Sequence, residues 1–318
     1  MNFQVLLFYK YTAIENPQVL KDSYTQLCKR FNLTGRTIIA EEGINGTLEG
    51  TVENTEAFVV EFLKDERFSD MQIKRSKGTG STFPRFSVKI REEIVGTRFP
   101  KEVDPTKKTA NYLKPEELRK WYEEDKDFVV VDMRNSYEFE SGHFKKSIDP
   151  GMTASRELPE LIEKIKEETK DKTILTVCTG GVRCEKMSAY LLHAGFDENK
   201  VYQLDGGMHS YMEKYPGKDF KGTLFTFDNR LVLDFGRDRE IIGTRPRCGV
   251  KNEQYQNCAN AECNMLFLIC NDCMSSEGPG FCSEKCEKST ARVVNRVRGE
   301  LANSGLGPKL AHTLTQAN

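Results

Sequence analysis

The chain has 318 residues, with 47 Lys and Arg against 48 Asp and Glu and a formal net charge of −1. That length suits two or three domains, each able to bury a core, and the balanced charge excludes an argument from overall electrostatics for any partner. Ten cysteines in a chain that opens on a strand-like Met1–Ile14, without an apolar stretch of membrane-spanning length, favour thiol chemistry or metal binding over disulfides, a cytoplasmic location and no membrane attachment.

Residues 1–100 read as a first α+β unit. Val5–Tyr9 has strand character and Pro17–Phe31 helix character, with Val19, Leu20, Leu27 and Phe31 on its apolar side. Strands at Arg36–Ala40 and Thr47–Glu49 flank a turn expected at Gly43–Ile44–Asn45–Gly46. A second helix over Glu53–Asp65 carries Ala57, Val60, Phe62 and Leu63, and strands follow near Met71–Lys74 and Phe86–Ile90. The order β-α-β-β-α-β predicts a ferredoxin-like sandwich. Within it, Gln72–Arg91 holds Lys74, Arg75, Lys77, Arg85, Lys89 and Arg91 and no acid, around a flexible-looking Gly78–Ser81 turn with Phe83 and Phe86 nearby. Cations there suit phosphates and exposed aromatics would stack on unpaired bases; a solvated hairpin with core aromatics is the competing reading.

Phe99–Tyr112 reads as a linker into a second unit over residues 113–218. Lys114–Pro115–Glu116–Glu117 opens a helix, Phe128–Asp132 is a buried strand, Leu158–Thr169 an amphipathic helix and Thr173–Val177 another buried strand. Alternating strands and helices predict a mainly parallel sheet, which places ligands at the C-terminal ends of its strands. At such an end stand Cys178, Thr179, Gly180, Gly181, Val182 and Arg183, followed by Cys184 and a helix running to a Gly195 cap. The paired glycines let successive N–H groups turn toward one atom, and the helix N-terminus and Arg183 add positive potential. That combination lowers a thiol's pKa and suits a nucleophilic thiolate at Cys178 or an anion derived from it.

From residue 219 to 298 the chain is rich in cysteine, after an extended return at Phe225–Arg230 and Leu231–Asp234 expected to add to the first unit. Cys270-x2-Cys273 and Cys282-x3-Cys286 have spacings that let two thiolates close on one tetrahedral metal, and Cys258-x4-Cys263 is a looser pair. A structural zinc would staple a segment too short for a large core, with a reduced cysteine-lined fold as the alternative. Residues 299–318 read as a poorly ordered tail.

Several of these blocks occur together in one known family. Val129–Val130–Val131–Asp132–Met133–Arg134, Tyr137–Glu138–Phe139, Gly142–His143–Phe144, the Cys178–Arg183 loop and Val201–Tyr202–Gln203–Leu204–Asp205–Gly206–Gly207 resemble, in order, the signature of rhodanese domains. The resemblance makes Asp132, Arg134, Glu138 and His143 supporting residues of the Cys178 loop, although Asp132, Arg134 and Glu138 also suit simple anchoring of loops. With Glu41–Glu42–Gly43–Ile44–Asn45–Gly46–Thr47 before it and Cys258–Ala259–Asn260 behind it, nearly the whole chain resembles the rhodanese-domain tRNA uridine hydroxylases. It departs at Cys248–Gly249–Val250–Lys251, where one Cys stands in place of an expected close pair.

The resemblance implies oxygen-dependent hydroxylation of the wobble uridine of tRNA to 5-hydroxyuridine, with Cys178 forming a persulfide. Its partners would be tRNA, O2 and a reductant of unknown identity. Nothing in the residue spacing by itself gives oxygen chemistry: there is no flavin, NAD or haem motif and no His-His-carboxylate triad. A sulfurtransferase using a Cys178 persulfide is the alternative. For tRNA, Lys74, Arg75, Lys77 and Arg85 are the candidate phosphate contacts, assisted by Arg245 and Arg247 ahead of the cysteine-rich region.

Overall fold

A computed structural model describes residues 2–233, 235, 240–245, 248–277 and 280–288. The chain divides into two compact units, one of residues 1–136 with 145–219, the other of residues 137–144 with the described residues from 220 onward. Arg247, the last residue of the expected Leu231–Asp234 segment and the 299–318 tail lie outside the described residues.

The first unit begins with β1 (Phe3–Tyr11), α1 (Pro17–Arg30), β2 (Thr34–Ala40), β3 (Gly43–Thr51), α2 (Val52–Phe62), β4 (Ile73–Lys77) and β5 (Phe86–Ile90). The sheet order is β4-β1-β3-β2-β5. Its first four strands pair antiparallel, as the β-α-β-β-α-β reading requires, and β5 is added parallel to β2. Both helices cover one face, where Leu6, Phe8, Leu20, Tyr24, Phe58 and Phe62 form the core.

Two details differ from the sequence reading. Val19 and Val60, expected inside, are 63% and 64% exposed. Helical phase turns Leu20, Tyr24 and Cys28, and Thr55, Phe58, Val59 and Phe62, inward instead. The turn expected at residues 43–46 lies within β3, and the hairpin reverses at Glu41–Glu42. Gly46 serves close approach: a Cβ there would stand 2.6 Å from the Phe8 ring.

The chain continues through β6 (Asn111–Leu113), α3 (Pro115–Glu123), β7 (Phe128–Asp132), α4 (Ser136–Ser141), β8 (Gly142–Phe144), β9 (Ser147–Ile148), α5 (Leu158–Thr169), β10 (Thr173–Val177), α6 (Val182–His193), β11 (Val201–Leu204) and α7 (Gly207–Lys214). The second sheet has the order β6-β11-β10-β7-β9 and is parallel throughout. Its central strands β7 and β10 are the β-branched runs read as buried, and both end at one edge of the sheet, where the Cys178 loop begins.

In the other unit β8 pairs antiparallel with β12 (Phe220–Gly222), and β13 (Leu224–Phe225) forms a hairpin with β14 (Val232–Leu233). The extended return therefore pairs with itself, a correction to the expectation that it extends the first sheet. β15 (Tyr255–Asn257) pairs with β16 (Leu266–Leu268), and two short helices follow, α8 (Asn271–Glu277) and α9 (Glu284–Lys288). One small core gathers Phe225, Leu231, Tyr255, Leu266 and Leu268, and another packs Cys258, Phe267 and Ile269 against cysteines of the helices. Among the described residues no helix is long and apolar enough to cross a membrane.

Candidate active site

Cys178 follows directly on β10, and the chain makes its tight turn over Thr179–Gly181 before α6 begins at Val182. Gly181 has φ +105°, a region that side chains rarely enter, and its N–H points back at the Cys178 Sγ, 3.2 Å away. The loop is held from behind by the start of α7. Met208 N–H donates to the Cys178 carbonyl (2.9 Å) and His209 N–H to the Thr179 carbonyl (3.0 Å). Arg183 lies along the loop, its Nη2 donating to Thr179 Oγ1 at 3.2 Å.

The charge balance at Cys178 follows from these contacts. Burial pushes the thiol up, since Cys178 has no exposed surface. The Cys184 thiol hydrogen-bonds to it, the Arg183 guanidinium attracts its anion, and the N–H groups of Cys184 and Gly181 donate to it. Together these outweigh burial and bring Cys178 from 9.0 down to about 6. Cys184 moves the other way, raised by burial and by its bond to Cys178. The pair is thus a thiolate next to a thiol at neutral pH.

The first sheet supplies the roof. Leu7 lies against Gly180, where a Cβ would come within 2.9 Å of its Cδ2, and Tyr9 lies against Gly181, where a Cβ would come within 2.6 Å of its hydroxyl. Tyr9 donates to Glu185 Oε1 (2.7 Å) and Tyr11 to the Val182 carbonyl (3.1 Å). Lys186, 4% exposed, bonds Glu42 (2.6 Å) and Glu93 (2.7 Å), which gives Glu42 of the Glu41–Thr47 block its place. Sequence reasoning did not assign Leu7, Tyr9 or Tyr11 to the site. The signal was there: β1 is apolar on both faces, as a strand covered on both sides must be.

Lys74 belongs to this roof. It pairs across from Leu7 on the neighbouring strand, is 6% exposed, and sets its ammonium 5.3 Å from the centre of the Tyr9 ring. Burial lowers its pKa, and the negative charges of Cys178, Asp205, Glu185 and Glu213 partly restore it. The residue expected to meet phosphates at the surface is therefore a buried cation near the thiolate. An open cleft beside it is lined by Gln72, Lys114, Glu116, Asp205, Glu213 and Lys214.

The remaining basic residues lie elsewhere. Arg75 is exposed and pairs with Glu56 at 2.7 Å, and Lys77 and Arg85 are exposed. The Gly78–Ser81 turn is held rather than loose, because the buried Glu49 carboxylate accepts from the N–H groups of Thr79, Gly80 and Thr82 at 2.8–2.9 Å. Phe83 is 8% exposed and Phe86 packs on Tyr24, so both serve the interior. Asp132 and Arg134 form a fully buried ion pair, Nη2 to Oδ2 at 2.7 Å, at the end of β7. Glu138 and His143 fall in the other unit; Glu138 is buried, and His143 stacks on Phe139 and bonds its carbonyl through Nδ1 at 3.0 Å. Arg245 is 1% exposed.

The cysteines of the C-terminal unit form two groups. Cys258, Cys263, Cys282 and Cys286 have their sulfurs within 4.8 Å of one another, as do Cys248, Cys270 and Cys273. The close-spaced pairs Cys270–Cys273 and Cys282–Cys286 thus belong to different groups, a division that spacing alone did not give. A tetrahedral ion with Zn–S bonds of about 2.3 Å places its sulfurs about 3.8 Å apart. Cys263–Cys282 at 3.7 Å and Cys282–Cys286 at 3.6 Å fit that edge.

A Cys-to-Arg loop closing on a low-pKa thiol at the C-terminal end of a central parallel strand defines a rhodanese-like, thiolate-based domain, here roofed by an acylphosphatase-like sheet. The family comparisons agree. Residues 3–94 match the UPF0176 acylphosphatase like domain, residues 114–214 the rhodanese-like domain and residues 221–287 the rhodanase C-terminal domain. A tRNA uridine(34) hydroxylase of Staphylococcus aureus strain MRSA252 is 42% identical over 291 residues, covering 91% of this chain and 90% of the relative. Its counterpart in strain MSSA476 is 41% identical over the same shares. A solved thiosulfate sulfurtransferase from Pseudomonas aeruginosa aligns with 36% of this chain and 20% of its own, at 21% identity and a TM-score of 0.30. The chain belongs to the tRNA uridine(34) hydroxylase family.

Proposed function

We propose that this protein is an oxidoreductase that hydroxylates C5 of uridine 34 in tRNA, consuming O2 and a reductant, with Cys178 as the reactive thiolate or the carrier of a persulfide. The observation that carries the reading is the buried Cys178 sulfur facing the Gly181 N–H at 3.2 Å, an environment that brings its thiol down to about 6, in a chain whose relatives bear that activity in their names. At neutral pH such a sulfur is already ionised, so no separate base is needed to activate it. Insertion of one atom of O2 into a C–H bond leaves the other to become water, which requires two electrons and two protons from the reductant. The wobble base stands in a single-stranded loop, so presenting it requires little unstacking. Because Leu7 and Tyr9 cover the Cys178 loop, substrate entry calls for the roof to lift or for the reaction to be relayed from the buried sulfur.

Cys258, Cys263, Cys282 and Cys286 hold a structural zinc in this reading, which ties the tip of the β15–β16 hairpin to α9. The decisive experiment for the activity is nucleoside mass spectrometry of tRNA from cells lacking the protein, complemented with the natural chain or with Cys178→Ala. Loss of 5-hydroxyuridine at position 34, restored by the natural chain and not by the variant, is expected. Unchanged modification in the deletion, or full restoration by Cys178→Ala, would overturn the assignment.

A further inference from the structure

We propose that Cys248, Cys270 and Cys273 form a second metal centre, open where the four-cysteine group is closed, taking Zn2+ through three thiolates and one exchangeable ligand. The three side chains come from separate backbone elements that converge on one point. Cys248 sits at the tip of a hairpin fixed by Asn252 N–H to the Gly243 carbonyl (2.8 Å), Arg245 N–H to the Val250 carbonyl (3.1 Å) and Gly249 N–H to the Arg245 carbonyl (2.9 Å). Cys270 ends the segment after β16, and Cys273 lies in the first turn of α8. Their sulfurs lie within 4.8 Å of one another, with Cys248 and Cys270 3.7 Å apart. That spacing is the tetrahedral edge of about 3.8 Å expected around zinc and far from the roughly 2.05 Å of a disulfide.

Softness and charge select the ion. Thiolate-only donors favour Zn2+ over Mg2+ or Ca2+. Three thiolates on Zn2+ leave a net charge of −1, and the guanidinium of Arg245, itself 1% exposed, hydrogen-bonds Cys248. With the centre assembled, that buried arginine is its counterion. Among the described residues no fourth Cys, His, Asp or Glu joins the group. Cys248 is exposed, so the fourth vertex is within reach of water or a solvent thiol. Zinc sites with three protein ligands and an open position exchange that ligand, whereas four-thiolate sites are closed. The two centres therefore differ in lability as well as in ligands.

The test uses the full chain, produced with zinc and purified without chelators. Elemental analysis should give two zinc ions per chain, falling to one in Cys248→Ala and to one in Cys263→Ala. Competition with a chromophoric zinc chelator should release zinc in two phases, the faster one missing from Cys248→Ala. Cys273→Ala gives an independent reading of the same centre. One zinc in the natural chain that survives Cys248→Ala and Cys273→Ala but not Cys263→Ala would overturn this centre while leaving the four-thiolate site standing. One zinc that is lost in Cys248→Ala and kept in Cys263→Ala would support this centre and overturn the other. Two ions retained in both Cys248→Ala and Cys273→Ala would overturn the ligand assignment.

Discussion

The Tyr9 hydroxyl donates to the Glu185 carboxylate at 2.7 Å, joining the first strand of the chain to the helix that follows Cys178. The contact lies over Gly181, so the roof and the thiolate cradle share one wall. Burial raises the pKa of Glu185, and the Tyr9 hydroxyl works against that rise. Tyr9→Phe removes the donor and leaves a half-buried carboxylate short of a partner. A drop of about 1–3 kcal/mol in urea unfolding is expected. Unchanged stability would show that water replaces the hydroxyl and that the roof is held by Lys186 and packing.

The two buried thiols make opposite predictions. Cys178→Ala should abolish hydroxylation and remove the thiolate absorbance step expected near pH 6, with the fold intact. Cys184→Ala removes the thiol that hydrogen-bonds Cys178, so the step should move upward and the pH–activity profile with it; Cys184→Ser keeps a donor and should restore much of the shift. Stability follows the same linkage. The fold lowers Cys178 from 9.0 to about 6, so its contribution is complete above pH 9 and is lost as pH falls through 6. Stability measured across that window should lose this slope in Cys178→Ala.

Gly181 is constrained twice, by φ +105° and by the Tyr9 hydroxyl 2.6 Å from where a Cβ would stand. Gly181→Ala should cost about 1–3 kcal/mol of stability from backbone strain alone. It also turns away the N–H that faces the Cys178 sulfur, so the thiolate midpoint should rise and turnover fall by roughly 100-fold. A variant with a normal midpoint and normal turnover would mean that the loop does not depend on that N–H.

What the sequence made legible was whatever lies close together along it. The β7 and β10 runs, the Cys178 loop and the βαββαβ order are local patterns, and each has its counterpart in the structure. Long-range features were not accessible in the same way. Lys74 read as a surface cation because its neighbours are Ile73 and Arg75, but strand alternation turns it to the face that meets the rhodanese-like domain. Gly43 and Gly46 read as turn residues because glycine's two uses, bending and close approach, look identical in a sequence. The division of seven cysteines into groups of four and three depends on hairpin tips and helix starts meeting in space, which spacing along the chain does not encode.

The separation of Lys74 from its basic neighbours yields a test of how tRNA is held. Arg75, Lys77 and Arg85 are exposed, and Arg75 must exchange its Glu56 partner to bind a phosphate. Lys74 is buried, and its charge acts on Cys178. The triple variant Arg75→Ala, Lys77→Ala, Arg85→Ala should weaken tRNA binding and lower the slope of log affinity against log salt by roughly 0.7 to 0.9 for each phosphate that is no longer neutralised. Its KM should rise, while kcat and the Cys178 midpoint stay unchanged. Lys74→Met should do the reverse: it removes a cation near the thiolate, raises the Cys178 midpoint and lowers kcat, and leaves the salt slope alone. Binding across a salt series, paired with thiolate titration of both variants, separates the roles. If Lys74→Met flattens the salt slope, the residue reaches RNA after all. If the triple variant leaves affinity and slope untouched, the basic hairpin is a solvated surface and tRNA is held elsewhere.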